Sequence, residues 1–452
     1  MSSTPTLRPA LWGLIWTALL LPASVGAQTQ PADLPADASD VTVELNTQGR
    51  GLYQLALPEP EGVGTLRSTD RAGAESLDAT LRMDLELSRV FEIQGPEQLS
   101  ILALTGDRAR DFEQYRSLGN ELVILGKVRA EDAKLVYEGR LYDLTAGQAI
   151  LGKRYRGSAD AMRRIAHIFA DEVIAYLAGR RGIAQTTIAF TSDRTGRKEI
   201  FLTDYDGYNQ RQLTGHKSTS MSPDWAPGNG SLVYTSFVGG NPGIYRADIA
   251  TGEKTPAITE GLQNISASFS PDGRKLAFSR ALGANSEIFV ADTSGRSLRQ
   301  LTHSRAIDTN PAWSPKGTEI AFTSSRAGNP NVYLMDVEGT NVRRISRDGN
   351  YSDGAAWSPS GDKLAFASRI RGRFEIVVTD VVTRESRVLT RGGGNNEQPT
   401  FSPDGQWIAF TSNRSGSKQI WVMNAESGGD MRQLTRDGNN ESPAWSGYPS
   451  RK

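Results

Sequence analysis

One triplet recurs six times at a fixed interval of 44 residues: Ile188-Ala189-Phe190, Leu232-Val233-Tyr234, Leu276-Ala277-Phe278, Ile320-Ala321-Phe322, Leu364-Ala365-Phe366 and Ile408-Ala409-Phe410. A second series keeps the same step through Trp225, Phe269, Trp313, Trp357, Phe401 and Trp445, and four of its members precede Ser-Pro-x-Gly. Six copies in constant register leave few folds open, and a period of 44 falls in the range of propeller blades. Each copy supplies turn residues at the spacing that four short strands require. In the third copy these are Pro271-Asp272-Gly273 and Ser294-Gly295, which favour tight turns. Apolar residues occupy both faces of Lys275–Arg280 and Glu287–Asp292, as expected for blades covered on each side.

The two series are out of phase. Ile188-Ala189-Phe190 has no aromatic-Ser-Pro strand before it, and Glu441–Ser446 has no apolar triplet after it. A circle resolves both gaps, with the C-terminal strand completing the first blade. Closure also removes the open strand edges that invite aggregation. The expected fold is therefore multidomain, with an all-β six-bladed propeller over residues 184–452 behind an α/β domain over residues 41–183. In that first domain, Asp40–Leu45 and Leu52–Leu57 alternate as strands, and Leu77, Leu81 and Leu85 mark a helix over Ala74–Val90. Asp107–Leu118 predicts a second helix. Glu121–Leu125, Leu135–Tyr137, Arg140–Tyr142 and Ala149–Leu151 predict strands, and a last helix is capped by Ser158.

The first 27 residues have a different character. Arg8, the apolar run Leu11–Leu21 and the small residues Ser24–Ala27 have the layout of a secretory signal cleaved after Ala27. The apolar run is short for a membrane span, which predicts an exported protein. Residues 28–40 are a Pro-, Ala- and Asp-rich flexible arm.

Composition narrows the function. The chain of 452 residues has 51 basic and 51 acidic side chains and no cysteine. Neutrality argues against a nucleic-acid surface, and the missing thiols exclude disulfides, thiolate nucleophiles and zinc–thiolate sites. His167, His216 and His303 are the only histidines, and none lies near another in sequence as a metal-ligand pair. There is no Gly-x-Ser-x-Gly elbow and no phosphate-cradling loop. Asp204-Tyr205-Asp206-Gly207 superficially resembles a calcium loop, but Asp292–Gly295 and Asp336–Gly339 at the same repeat position predict a hairpin turn. No catalytic residue, cofactor or metal is expected.

A binding face is expected where the loops entering each inner strand meet those joining the second and third strands. The entering loops carry Gln263–Ser266, Ile307–Asn310, Asn350–Asp353, Asn395–Glu397 and Asn439–Glu441, and the joining loops carry Arg194, Arg326, Arg369, Arg371 and Arg414. Such a polar funnel suits a protein loop or peptide, although blade-to-blade hydrogen bonding is an equally good account of any single residue.

The chain resembles the TolB family, exported propeller proteins of the Tol–Pal envelope system of Gram-negative bacteria. The resemblance rests on the leader, the α/β domain ahead of aromatic-Ser-Pro-Asp-Gly blades, and Thr203–Gln210. Leu118-Gly119 followed by Val123–Val128 adds to it. It implies a periplasmic, monomeric scaffold without catalysis or nucleic-acid binding, supporting outer-membrane integrity and invagination during division. It implies that the channel-loop face binds the lipoprotein Pal, with Gln263, Ser266, Thr309 and Asn310 matching by position. Glu397 and Glu441 join them by repeat analogy alone. The family's N-terminal segment binds TolA, and the similar strand here is Val41, Thr42, Val43, Glu44 and Leu45. The Pro-rich spacer ahead of that strand departs from the family pattern and sets the TolA contact apart from the rest. Two competing readings are an exported propeller that binds a sugar or ion, and the accessory propeller of a hydrolase supplied by another polypeptide.

Overall fold

The structure, a computed structural model, describes residues 51–347 and 349–450. The leader, the arm and Val41–Leu45 lie outside the described residues.

The α/β part holds five strands in the order β2-β1-β3-β4-β5: β1 (Tyr53–Ala56), β2 (Phe91–Gln94), β3 (Leu122–Glu131), β4 (Lys134–Asp143) and β5 (Gln148–Gly157). β1 runs parallel to β2 and β3, and β3, β4 and β5 form an antiparallel meander. The helices are α1 (Ser68–Leu87), α2 (Pro96–Leu99), α3 (Arg108–Ser117) and α4 (Met162–Ala178).

Three local expectations are corrected. α1 begins at Ser68, six residues before Ala74, because its first turn carries polar residues that no apolar period can register. Leu135–Tyr137 and Arg140–Tyr142 are one strand, β4. The Gly139 that interrupts its apolar pattern sits under Phe169 of α4, where an added Cβ would lie 2.7 Å from the ring. Ser158 precedes a short 3-10 turn and makes no side-chain cap bond, so α4 starts at Met162. Asp107, in contrast, caps α3 by accepting from the Arg110 N–H at 3.1 Å.

The remaining chain forms six four-stranded antiparallel sheets. Blade 1 joins Asn440–Trp445 to Thr187–Ser192, with Trp445 opposite Ile188, so the C-terminal strand closes the ring. The inner strands of blades 2 to 6 are Ser220–Trp225, Asn264–Phe269, Asp308–Trp313, Ser352–Trp357 and Asn396–Phe401. The recurring triplets are the buried centre of each blade: Phe190, Phe278, Phe322 and Phe410 are wholly buried. Outer strands shrink to two residues in blades 1, 3, 4 and 6.

Polar groups replace apolar ones at one internal position, and each is satisfied. Thr214, Thr302 and Thr390 accept from the N–H of Ile200, Ile288 and Ile376 and donate to the buried carboxylates of Glu199, Glu287 and Glu375. A buried carboxylate without such donors would be costly, so the hydroxyl at the blade's edge is a condition for the Glu within it.

Hairpin connectivity puts the turns joining strands 1–2 and 3–4 on one face and the remaining loops on the other. The α/β part docks on the former, against blades 1 and 6. Leu87 of α1 shares a core cluster with Ile183, Tyr205, Trp407 and Trp445. The Trp407 indole donates to the Leu87 carbonyl at 3.2 Å, and Arg180 bridges Asp404 at 3.2 Å and the Ser88 carbonyl at 2.7 Å. Among the described residues no helix is long and apolar enough to cross a membrane.

Candidate functional site

The channel is formed by one bulge repeated six times. Every inner strand slips register against its neighbour. The residue at the slip is left-handed: Ser442 (φ 54), Ser222 (54), Ser266 (54), Asn310 (50), Gly354 (67) and Gln398 (55). A bulge turns its N–H away from its own ladder, and in three of the six blades that N–H reaches the preceding blade. Ser266, Asn310 and Ser442 donate to Thr235, Ser279 and Thr411, each at 3.1 Å. The strain of five non-glycine residues in this region is thus offset by three blade-to-blade staples. All six bulge residues line a central cavity of about 420 Å³.

One residue before each bulge stands a second series: Glu441, Met221, Ile265, Thr309, Asp353 and Glu397, in blade order 1 to 6. The acids therefore occupy adjoining blades 5, 6 and 1, and neutral side chains occupy blades 2, 3 and 4. Asp353 is committed to the fold, because its Oδ1 accepts from Asn310 Nδ2 at 2.8 Å, Thr323 at 2.7 Å and the Gly354 N–H at 2.7 Å. Glu441 is committed too, pairing with Lys198 and with Lys418 at 2.9 Å. Burial alone would raise the Glu441 carboxyl, but the two ammonium groups outweigh it and hold it below the usual range.

The six residues expected at the partner face therefore separate into two groups. Ser266 and Asn310 are in the channel wall, with Asn310 bound through both backbone and side chain, and Glu441 is tied to two lysines. Gln263, Thr309 and Glu397 are partly exposed, and their side chains make no hydrogen bond or ion pair within the described residues. Neither Thr309, Glu397 nor Glu441 lines the channel cavity itself. Asp224, which the sequence reading overlooked, does. Enclosure by the blades pushes it up to about 7, against one bond from the Phe269 N–H at 2.8 Å. Counting 44 residues back from Ser268, which follows Ser266, was enough to find it.

The arginines of the joining loops also divide. Arg194, Arg326 and Arg414 rest on the aromatic pairs Phe190/Phe201, Phe322/Tyr333 and Phe410/Trp421. Each clamps the first residue of an inner strand: Asn440 at 3.1 Å, Asp308 at 3.0 Å and Asn396 at 2.9 Å. Where that residue is Ser220 or Ser352, it bonds Ser236 or Ser368 instead, and the clamp position holds Val238 or Ile370. These three arginines are structural, while Arg369 and Arg371 are exposed on the surface.

On the opposite face, Thr203–Gln210 makes the expected hairpin turn, closed by the Gly207 N–H on the Asp204 carbonyl at 2.9 Å. Its tip has a second task. Tyr205 donates to Asp84 of α1 at 2.6 Å, His167 of α4 bonds the other oxygen of Asp84 at 2.7 Å, and Arg163 of α4 pairs with Asp206. Asp84, His167 and Asp206 offer atoms within 4.8 Å of one another, a spacing that could hold a cation. The wiring favours a hydrogen-bonded domain latch, since Arg163 already neutralises Asp206 and two donors already serve Asp84. Burial pulls the His167 imidazole down, yet the Asp84 bond and the charges of Asp84 and Asp206 raise it overall.

Comparison with known proteins fits this division into two parts. The TolB amino-terminal domain matches residues 41–150, and the TolB beta propeller domain matches residues 174–449. The chain belongs to the TolB family. Its curated relatives include the Tol-Pal system protein TolB of Geobacter sulfurreducens, 36% identical over 195 residues, which are 43% of this chain and 45% of that protein. The namesake from Xanthomonas campestris pv. campestris is 31% identical over 258 residues, 55% of this chain and 54% of the relative. The chain thus spans about half the length of the curated relatives it matches. The crystal structure of TolB from Acinetobacter baumannii superposes with a TM-score of 0.74 at 24% identity, covering 88% of this chain and 98% of that one. That likeness extends the fold over both domains. Thr203–Gln210 is the turn that ties the two domains together, through Tyr205 on Asp84 and Asp206 on Arg163.

Proposed function

We propose that this TolB-family chain is a non-catalytic, protein-binding component of a Tol–Pal system. It works in the periplasm after removal of residues 1–27, as a monomer, and its channel-loop face captures the lipoprotein Pal. In this role it supports outer-membrane integrity and invagination during division. The observation that carries the reading is the set of uncommitted polar side chains on that face, Gln263, Thr309 and Glu397, beside neighbours fully used by the fold. Relatives named Tol-Pal system protein TolB support the assignment to the system. Val41–Leu45 is the segment for TolA, with the spacer at 28–40 setting how far it reaches.

The test is calorimetric titration of Pal into the mature chain and into Thr309→Lys/Glu397→Lys. These positions are chosen over Asn310, whose bonds to Ser279 and Asp353 would confound binding with folding. Affinity should fall at least about tenfold with the melting temperature unchanged, as for loss of two contact side chains. Equal affinity in both proteins would reject this face.

A further inference from the structure

The three arginines around the outer end of blade 5 have no structural assignment. Arg371, Arg373 and Arg391 line one cavity of about 550 Å³ together with Ile370, Val388, Thr390, Gly392 and Glu375. The cavity lies on the channel-loop face, between the hairpin joining Lys363–Ile370 to Arg373–Asp380 and the loop that follows Ser386–Val388. All three guanidinium groups are on exposed residues, and none makes a hydrogen bond, ion pair or ring contact among the described residues.

Their isolation contrasts with the rest of the face. Arg194, Arg326 and Arg414 are each held by a strand-end Asn or Asp and an aromatic ring. In blade 5 that clamp position is Ile370, and the cations have moved to positions where the fold does not need them. Among the described residues the one acid in the cavity wall is Glu375, already satisfied by Thr390 at 2.6 Å, the Gly392 N–H at 3.0 Å and Asn396 at 3.0 Å. Three positive charges therefore face the cavity against one internally bonded carboxylate.

The backbone supplies a second, independent sign. Ile370 pairs with Arg373, so Arg371-Gly372 is a two-residue hairpin loop, with φ of 51° and 86°. Such a turn prefers Asn-Gly, and a long side chain at its first position is disfavoured. An arginine placed there without a partner is a local cost that the fold does not repay. Space for a ligand is open beside Gly392 in the cavity wall, where a Cβ would meet nothing within 4 Å.

We propose that this cavity is a binding site for a small polyanion, with Arg371, Arg373 and Arg391 gripping phosphate or carboxylate oxygens over the apolar floor of Ile370 and Val388. Planar guanidinium forks suit oxyanions with two or more acceptor oxygens in one plane. The phosphate and carboxylate sources share that chemistry and differ in the test. This inference does not depend on the partner assigned to the channel mouth.

Pyrophosphate and citrate, each up to about 10 mM, are titrated into the full mature chain at low ionic strength, where screening is weak. The variant is Arg371→Asn/Arg391→Gln. Asparagine suits the turn, so the variant should melt at or above the wild-type temperature, which removes misfolding as an explanation. At least one anion should bind the wild type, with the effective anion naming the source, and the variant should bind it at least about tenfold more weakly. Binding by neither anion, or undiminished binding by the variant, overturns the proposal.

Discussion

The domain latch can be broken by removing one oxygen atom. Tyr205 is 4% exposed, and its hydroxyl bonds Asp84, which is 2% exposed. Tyr205→Phe keeps the ring and its edge-on approach to His167, with centroids 5.9 Å apart, and deletes only the donor. Asp84 is left with His167 on its other oxygen. A hydrogen bond to a buried charged group contributes about 1.5–3 kcal/mol. At about 2–4 °C per kcal/mol for domains of roughly this size, the loss is about 3–12 °C in melting temperature. Scanning calorimetry is the appropriate assay, because a two-domain chain need not unfold in one step, and weakening the latch should separate the α/β transition from that of the propeller. His167→Gln should couple with it in a double-mutant cycle, since both residues serve one carboxylate. The pH dependence has a definite sign. His167 titrates above its unfolded value, so its contribution is complete below about pH 6.5 and is lost as pH rises through the folded-state value. A Tyr205→Phe protein melting within about 1 °C of wild type, with one unchanged transition, would refute the latch.

Two further outcomes follow from the propeller. Asp224, pushed up to about 7, holds a proton in the folded state that the unfolded chain releases near its ordinary value of 3.8. Stability should therefore fall as pH rises from about 4 to 7, and Asp224→Asn should flatten that slope in urea midpoints measured at both ends. Arg326→Ala leaves the fully buried Asp308 without its cation, with only the Ser304 hydroxyl at 3.3 Å among the described residues, and should cost about 3 kcal/mol by denaturant unfolding. Adding Asp308→Ser, the residue used in blades 2 and 5, should recover most of the loss.

The repeat made the propeller legible because each blade solves the same packing problem with the same residues. Closure by Asn440–Trp445 followed from counting phases, with no knowledge of any contact. In the α/β part no second copy corrects a local reading, so polar first turns and glycine-interrupted strands moved boundaries there. At the channel face, position was legible and commitment was not. Thr309 and Asn310 are adjacent in sequence, yet the left-handed φ of 50° at Asn310 locks one into the blade junction and leaves the other free.

The more informative signal was deviation from the repeat. The position of Trp407 is Thr187, Ser231, Lys275, Glu319 and Lys363 in the other blades, and in blade 6 its indole donates to the Leu87 carbonyl of α1. Tyr205 stands where blades 3, 4 and 5 have Thr293, Val337 and Val381, and it is the residue that reaches Asp84. Asn440 and Asp308 occur with Arg194 and Arg326, while Ser220 and Ser352 occur with Val238 and Ile370. Blade 3 breaks this pairing by setting Asn264 against Leu282, and the Asn264 side-chain oxygen is buried without a partner. A repeated fold carries its own controls: residues that agree across blades report packing, and residues that disagree report what each blade faces. By that criterion the unclamped arginines of blade 5 belong with Trp407 and Tyr205, as departures that the blade itself does not require.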